Sequence, residues 1–198
     1  MRRHRLADVQ TTRTATNAAG TSLALGIALA ARWVTLLLAL NLGWEFGQLP
    51  LYSFPPGTTW QTIGLYVAHC TLGDGGIALG SYIVASVVTR CPDWPLRRPL
   101  TGLGIVIVAS LVYTVWAEWR NVYVLGNWAY ADTMPTVRGI GLSPLMQWMA
   151  LPGVALLCLR WLRHRSSTSP NDVSRVDPSP ESQHVDAHRD RRRRSFHL

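Results

Sequence analysis

The stretch LTGLGIVIVASLVYTVWAEW, residues 100–119, decides the fold of this chain. It is almost entirely apolar and carries a single charged side chain, Glu118, near its end. A helix needs about 20 residues to cross a hydrocarbon core of about 30 Å, so this segment is long enough to span a membrane. Three other segments of similar character lie within residues 22–48, 62–89 and 144–162. The sequence therefore predicts an all-α membrane protein with a four-helix transmembrane bundle.

The polar residues of the 198-residue chain are concentrated at its ends. We predict a cytoplasmic arm over residues 1–20, a membrane domain over residues 21–162 and a cytoplasmic tail over residues 163–198. The tail has almost nothing to bury, which predicts disorder, and its arginines at 191–194 could meet anionic lipid headgroups or remain solvated. A cleaved signal peptide is the alternative for the N-terminal segment, but apolar sequence resumes directly after Arg32.

The positive charges indicate how the bundle is oriented. All 19 basic residues are arginines, which hints at a GC-rich bacterial genome, and they flank the apolar segments. Ten of them lie in the N-terminal arm, in the connection between the second and third apolar segments, and at the end of the fourth segment. The connection between the third and fourth segments has only Arg138, with Arg120 just before it. Because positive flanks stay in the cytoplasm, both termini are predicted to be inside (N-in/C-in), in the inner (plasma) membrane. Membrane lipid is the expected partner, with possible homo-oligomers and no nucleic acid.

Two of the predicted helices carry a polar stripe along one face. In the first helix the stripe recurs at i, i+4 and i+7, and consists of Asn41, Glu45 and Gln48. In the third helix it consists of Ser110, Thr114, Glu118 and Asn121. Ionisable groups cost several kcal/mol in a bilayer, so they usually face the interior of a bundle and indicate a function.

Alternating helix directions bring the polar residues to a common height. A rise of about 1.5 Å per residue places four of them in the outer half of the membrane, namely Glu45, His69, Glu118 and Gln147. Asp74 lies deeper, near the midplane, and about 140° around the helix from His69. Both could face one cavity only if the second helix is central or broken near Gly75. His69, Gly73, Gly76 and Gly80 share a face that could admit a neighbouring helix closely.

The connections supply further expectations. Pro50, Pro55 and Pro56 end the first helix, and Ser143-Pro144 is expected to be an N-cap followed by proline. The third connection, residues 121–143, carries aromatic residues suited to the headgroup level and is predicted to fold over the outer mouth as an ordered loop. The three cysteines, Cys70, Cys91 and Cys158, are odd in number and widely spaced, so we interpret them as plain thiols.

These residues form one predicted site. Its candidate catalytic residues are Glu45, His69, Asp74 and Glu118, and its candidate substrate-binding residues are Asn41, Gln48, Arg120, Asn121, Trp128, Tyr130 and Gln147. A histidine among carboxylates suits acid–base chemistry. It would also suit a metal, but no histidine pair has ligand spacing, and we predict neither metal nor cofactor. The alternative is that these groups only form hydrogen bonds between helices. Arg120 could neutralise Glu118 or hold an anionic headgroup.

Several short motifs resemble a family of small bacterial polytopic membrane proteins that has no characterised activity. They are N-x2-WE-x2-Q-x-PLY from Asn41, H-x3-GD from His69, EW at Glu118, NWAY from Asn127, MP at Met134 and GLSPL-x-QW from Gly141. The resemblance covers roughly residues 33–155. The combination of Glu118 with an outer Trp-x-Tyr loop is also similar to membrane enzymes acting on carotenoids, although this similarity transfers no catalytic residue.

Three functions are compatible with this sequence. The first is an enzyme acting on a lipid or isoprenoid, with Glu45 and Glu118 as acid and base, His69 as proton shuttle or stabilising cation, and residues 123–134 as a lid. The second is a structural or assembly protein without catalysis. The third is a subunit of a small-solute or proton carrier, which would require oligomers because the sequence has no internal repeat.

Overall fold

A computed structural model describes the backbone of residues 2–167 and the side chains of residues 20–165. Most of the predicted arm and tail, including the arginines at 191–194, therefore lies outside the residues whose side chains are described. Contacts divide the chain into a compact unit of Met1–Leu162 and a second unit of Arg163–Leu198. The site lies entirely in the first unit.

Four long helices form the protein, as the apolar segments predict. They are α1 (Arg2–Gln48), α2 (Trp60–Thr89), α4 (Pro99–Trp119) and α5 (Leu142–Ser167), while α3 (Trp94–Arg97) is a single turn between α2 and α4. The parts of these helices that could span a membrane are Gly20–Leu51, Trp60–Thr89, Pro99–Leu125 and Leu142–Arg165. The predicted all-α, four-helix architecture is confirmed, and each of the four helices is long and apolar enough to cross a membrane.

The exposed surface of these helices is apolar while much of the interior is polar. Large side chains such as Leu65, Leu72 and Val112 are exposed, whereas Asn41, Asp74 and Gln147 are buried. A water-soluble bundle has the opposite distribution. In a membrane, lipid covers the apolar surface and polar groups find partners inside the bundle.

Helix α2 is the central element of the bundle. It packs along both α1 and α4 and runs without interruption from Trp60 to Thr89. The Thr59 hydroxyl caps its start by accepting from the Thr62 N–H, and Arg90 ends it in the left-handed conformation. Of the two arrangements that would let His69 and Asp74 share a cavity, the structure therefore has the central helix and not the broken one.

The predicted role of the glycine face of α2 is wrong within this chain. Gly73, Gly76 and Gly80 face open space, and a Cβ added to any of them would meet no atom within 4 Å. The close approach to α1 occurs instead at Gly75, where a Cβ would lie 2.9 Å from Leu38. Glycine spacing identified a face, but it could not tell which face the neighbouring helix occupies.

An aromatic cluster closes the end of the bundle that carries the α2–α4 connection. Trp33, Tyr82 and Trp94 are buried against one another, and the rings of Trp33 and Trp94 are 5.3 Å apart in an edge-to-face arrangement. Gly102 of α4 admits Trp94, since a Cβ at that position would overlap the indole. The Tyr82 hydroxyl donates to the Pro92 carbonyl at 2.8 Å. This connection is thus packed into the bundle.

The opposite end is covered by the other two connections, which pair with each other. After α1, the 3₁₀ turn Leu49–Leu51 leads into β1 (Tyr52–Ser53), which pairs antiparallel with β2 (Ala129–Tyr130). The Thr133 hydroxyl donates to the Pro50 carbonyl at 3.1 Å. The prediction of an ordered loop after the third long helix is therefore confirmed.

The rest of that loop is also regular. α4 continues as a π-helical segment, Arg120–Leu125, and β3 (Thr136–Val137) forms a hairpin with β4 (Ile140–Gly141). Arg138 and Gly139 both have positive φ, as the tight turn of a type I′ hairpin requires. α5 begins at Leu142, so the predicted N-cap at Ser143 is wrong; its hydroxyl is used in a contact with α1 instead.

Candidate functional site

The polar stripe of α1 forms one wall of the candidate site. Asn41, Glu45 and Gln48 are all buried on the same face of the helix, as their spacing predicts. The Gln48 amide donates to Glu45 Oε1 at 2.9 Å. The Trp44 indole donates to the Ser143 hydroxyl at 3.2 Å, and that hydroxyl donates to Gln48 Oε1 at 2.8 Å. This series of hydrogen bonds, which passes through Ser143 of α5, fixes the orientation of the Gln48 amide.

Gln147 joins three helices through one side-chain nitrogen. Its Nε2 lies 2.6 Å from Asn41 Oδ1, 3.1 Å from Asp74 Oδ2 and 3.4 Å from Glu45 Oε1. An amide nitrogen has two N–H groups, so these three acceptors share two donors. The contacts bring the carboxyl groups of Glu45 and Asp74 to one nitrogen, although they come from different helices.

Glu118 is held by the loop that follows α4. Glu118 Oε2 accepts from the Tyr130 hydroxyl at 2.5 Å and from the Trp128 indole at 3.4 Å. Burial raises the pKa of the Tyr130 phenol, and its hydrogen bond to Glu118 raises it further, so Tyr130 remains the donor. Burial likewise raises the pKa of Tyr52, with the Glu118 and Glu45 carboxyl groups adding to the effect. Both predicted loop residues, Trp128 and Tyr130, therefore contact a predicted catalytic residue.

Glu45, Asp74, Glu118 and Gln147 line a cavity of about 450 Å³ at the end of the bundle covered by the paired connections, whereas Asn41 and Tyr130 contact these residues from outside the lining. All four long helices and both connections contribute to its lining, including Glu45, Gln48, Tyr52, Phe54, Tyr66, His69, Cys70, Gly73, Asp74, Ile77, Tyr113, Thr114, Glu118, Asn121, Asn127, Trp128, Gln147 and Trp148. Ligand sites are commonly concave, mostly apolar and equipped with a few convergent polar groups. This cavity has that composition.

No described cation pairs with the three carboxyl groups. Among residues 20–165 the one ion pair joins Arg97 to Asp93, in the α2–α4 connection. Arg120 does not neutralise Glu118, because its guanidinium lies over the Trp116 ring, 5.8 Å from the ring centre. In every hydrogen bond of Glu45, Asp74 and Glu118 the carboxyl oxygen accepts from a neutral group.

Two predicted residues lie at the edge of this arrangement. His69 lines the cavity, but it is exposed and makes no hydrogen bond to any of the three carboxyl groups. Asn121 is half-buried, donates to the Ala117 carbonyl at 2.8 Å and accepts from the Asn127 amide at 2.7 Å. In residues 20–165 no three His, Cys, Asp or Glu side chains are grouped so as to hold a metal ion.

Several cavity residues were not among the predicted ones. Tyr66, Cys70 and Ile77 follow helical spacing with Gly73 on one face of α2, so an apolar helix-face analysis would have found them. Thr114 lies on the predicted stripe of α4 but was not assigned a role. Ser143 and Trp44 are linked across almost a hundred positions, and no local pattern indicates such a contact. All three cysteines are free thiols, as predicted.

Comparisons with known proteins add no function to this geometry. No protein-family model, no curated protein and no solved structure matches the chain. The functional argument therefore depends on the side chains around the cavity.

Proposed function

We propose that this protein is an inner-membrane enzyme that carries out acid–base chemistry on a lipid or isoprenoid held in the cavity. The observation that carries the proposal is the convergence of Glu45, Asp74 and Glu118, from three helices, on one largely apolar cavity without a paired cation. General acid–base catalysis needs carboxyl groups that can exchange protons beside a bound substrate. A purely structural interior would have no need for a cavity next to them.

The arrangement divides the work among the residues. Glu45 and Asp74 share the Gln147 amide and act as a pair, so a proton taken from the substrate by one can be retained within the pair. Glu118 acts from the opposite wall, positioned by Tyr130 and Trp128. His69 lies exposed at the cavity lining, where it can contact a bound substrate. Within the predicted lid, residues 123–134, it is Trp128 and Tyr130 that close over Glu118, whereas Asp132 is exposed and lies outside the cavity lining.

We also propose that the cavity opens to the outside of the cell. The paired connections that cover it carry only Arg120 and Arg138, whereas Arg90, Arg97 and Arg98 lie at the opposite end of the bundle. The positive-inside rule then assigns the arginine-rich end to the cytoplasm and both termini to the inside. A substrate would reach the site from the outer leaflet.

A structural role is the second candidate, and the Gln147 contacts favour it. One buried amide holds α1, α2 and α5 together through Asn41, Glu45 and Asp74. Hydrogen bonds of this kind stabilise membrane bundles without any chemistry. A carrier is less well supported, since Trp33, Tyr82 and Trp94 fill the bundle interior beyond the cavity.

Amide variants of the carboxyl groups test the proposed function. Glu45→Gln and Glu118→Gln retain an oxygen that can accept the same hydrogen bonds, so both proteins should fold. The native protein would be expressed in a host strain that does not contain it. We expect the amount of one class of lipid or pigment to change in that strain, as measured by mass spectrometry of lipid extracts. Both variants should abolish that change, since an amide cannot exchange the proton.

The control is Asp132→Asn, which makes the same chemical change at an exposed loop position outside the cavity lining. It should behave like the native chain. Unaltered lipid extracts on expression of the native protein would refute the enzyme. Amide variants that lower only protein abundance and thermal stability would support the structural role instead.

A further inference from the structure

The cavity presents more hydrogen-bond acceptors than the protein satisfies. Glu45, Asp74 and Glu118 each accept through one carboxyl oxygen, and no described group donates to the other oxygen. The Thr114 hydroxyl lines the same cavity, is only 5% exposed and has no hydrogen-bond partner. A buried polar group left unpaired costs about 1–3 kcal/mol, so the Thr114 hydroxyl points to a ligand with a hydrogen-bonding group. The free carboxyl oxygens beside it can only accept, so that ligand would supply donors.

The charge around the cavity indicates the sign of that ligand. Three carboxyl groups line it, no arginine does, and the chain has no lysine. Aromatic rings, including Tyr52, Tyr66 and Trp128, share the lining. Ring faces and carboxylates both attract cations, and aromatic surroundings are a common way to recognise ammonium groups. The free acceptors and the negative charge around the cavity therefore both favour a positively charged ligand that carries hydrogen-bond donors.

We propose that the ligand is a lipid-soluble primary ammonium. Its three N–H groups would donate to the Thr114 hydroxyl and to two of the three free carboxyl oxygens, while its hydrocarbon part lies against the apolar lining. This inference rests on the proposed function, because it names the substrate class of the same site. Two sources share this chemistry, the headgroup of an aminolipid and a free long-chain amine.

Binding of simple amphiphiles to the purified full-length protein tests the inference. In dodecyl maltoside micelles, native mass spectrometry would measure the affinities of dodecylamine, of dodecyltrimethylammonium, which has no N–H, and of dodecanol, which has no charge. We expect dodecylamine to bind about tenfold more tightly than dodecanol, with the quaternary compound between them. Thr114→Val should reduce the difference in affinity between dodecylamine and dodecyltrimethylammonium, since only the primary ammonium can donate to the Thr114 hydroxyl.

Removing a carboxylate should weaken only the charged probes. Asp74→Asn should lower the dodecylamine affinity about tenfold and leave the dodecanol affinity unchanged. The control variant Asp132→Asn should bind both compounds with the native affinities. Equal affinities for dodecylamine and dodecanol would overturn the inference, as would an unchanged dodecylamine affinity in both Asp74→Asn and Thr114→Val. Because these measurements need no turnover, the inference can fail while lipid extracts still show enzyme activity, and the reverse also holds.

Competition separates the two sources. A short-chain phosphatidylethanolamine that displaces dodecylamine, when the matching phosphatidylcholine does not, identifies an aminolipid headgroup. Displacement by neither, with dodecylamine still bound, identifies a free amine.

Discussion

Replacing Gln147 by Leu is expected to lower the free energy of unfolding by roughly 2–6 kcal/mol, the sum of two buried acceptors left unpaired. Gln147 is 2% exposed, and its Nε2 is the only described donor to Asn41 Oδ1 and to Asp74 Oδ2. Glu45 Oε1 would keep its bond from Gln48, so it adds little to the loss. An average hydrogen bond between membrane helices contributes only about 0.6 kcal/mol, so the expected loss of stability is several times larger than that of an ordinary interhelical hydrogen bond.

The measurement is an equilibrium unfolding titration with sodium dodecyl sulfate in mixed micelles. Gln61→Leu is the matched control, since it makes the same change at an exposed position at the start of α2 and should alter stability little. Some buried polar networks can be replaced by apolar residues without loss. If the Gln147→Leu protein is as stable as the native one, the Gln147 network belongs to those that apolar residues can replace. The proposal of a structural role would then be refuted.

Replacing Gly73 by Leu is expected to reduce substrate conversion about 100-fold, as misplacement of a substrate by about 1 Å can do. Gly73 lines the cavity, and a Cβ added there meets no atom within 4 Å, so a side chain can leave the helix at this position and project into the cavity space. Leucine is also a better helix former than glycine by roughly 0.7–1 kcal/mol, so the protein should be at least as stable. Loss of activity could then not be attributed to unfolding.

Gly80→Leu is the control for this variant. Gly80 lies on the same helix, is equally open, and is not part of the cavity lining. The lipid product would be quantified from both strains at equal protein abundance. Similar activity in the two variants would mean that the substrate does not occupy this cavity.

Much of the fold could be predicted because it depends on local properties of the chain. Apolar length alone identified the four helices, and the spacing of Asn41, Glu45 and Gln48 identified the buried face of α1. Both patterns reflect the 3.6-residue period and the cost of placing polar groups in lipid. The height argument likewise placed Glu45 and Gln147 at one level, where their side chains meet. It placed Asp74 deeper, although Asp74 contacts the same Gln147 amide.

What could not be predicted depends on contacts between distant segments. Periodicity gives the angle of a side chain around its own helix, but not which neighbour it meets. His69 was therefore expected among the carboxyl groups and lies exposed beside them. Arg120 was a candidate to neutralise Glu118, but its guanidinium lies over Trp116. The contact of Tyr130 with Glu118 requires the β1–β2 pairing, which two residues per strand are too short to indicate.

Thiol labelling in intact cells tests the central claim, that a water-accessible cavity enters the membrane domain from outside beside the carboxyl groups. Gly73→Cys and Gly80→Cys would each be made with Cys70→Ser, so that Cys91 and Cys158 remain as a common background. A membrane-impermeant methanethiosulfonate added outside should modify the cysteine at position 73 and leave the one at position 80 unmodified. Equal modification of both, or modification at 73 only after the cells are permeabilised, would contradict the account.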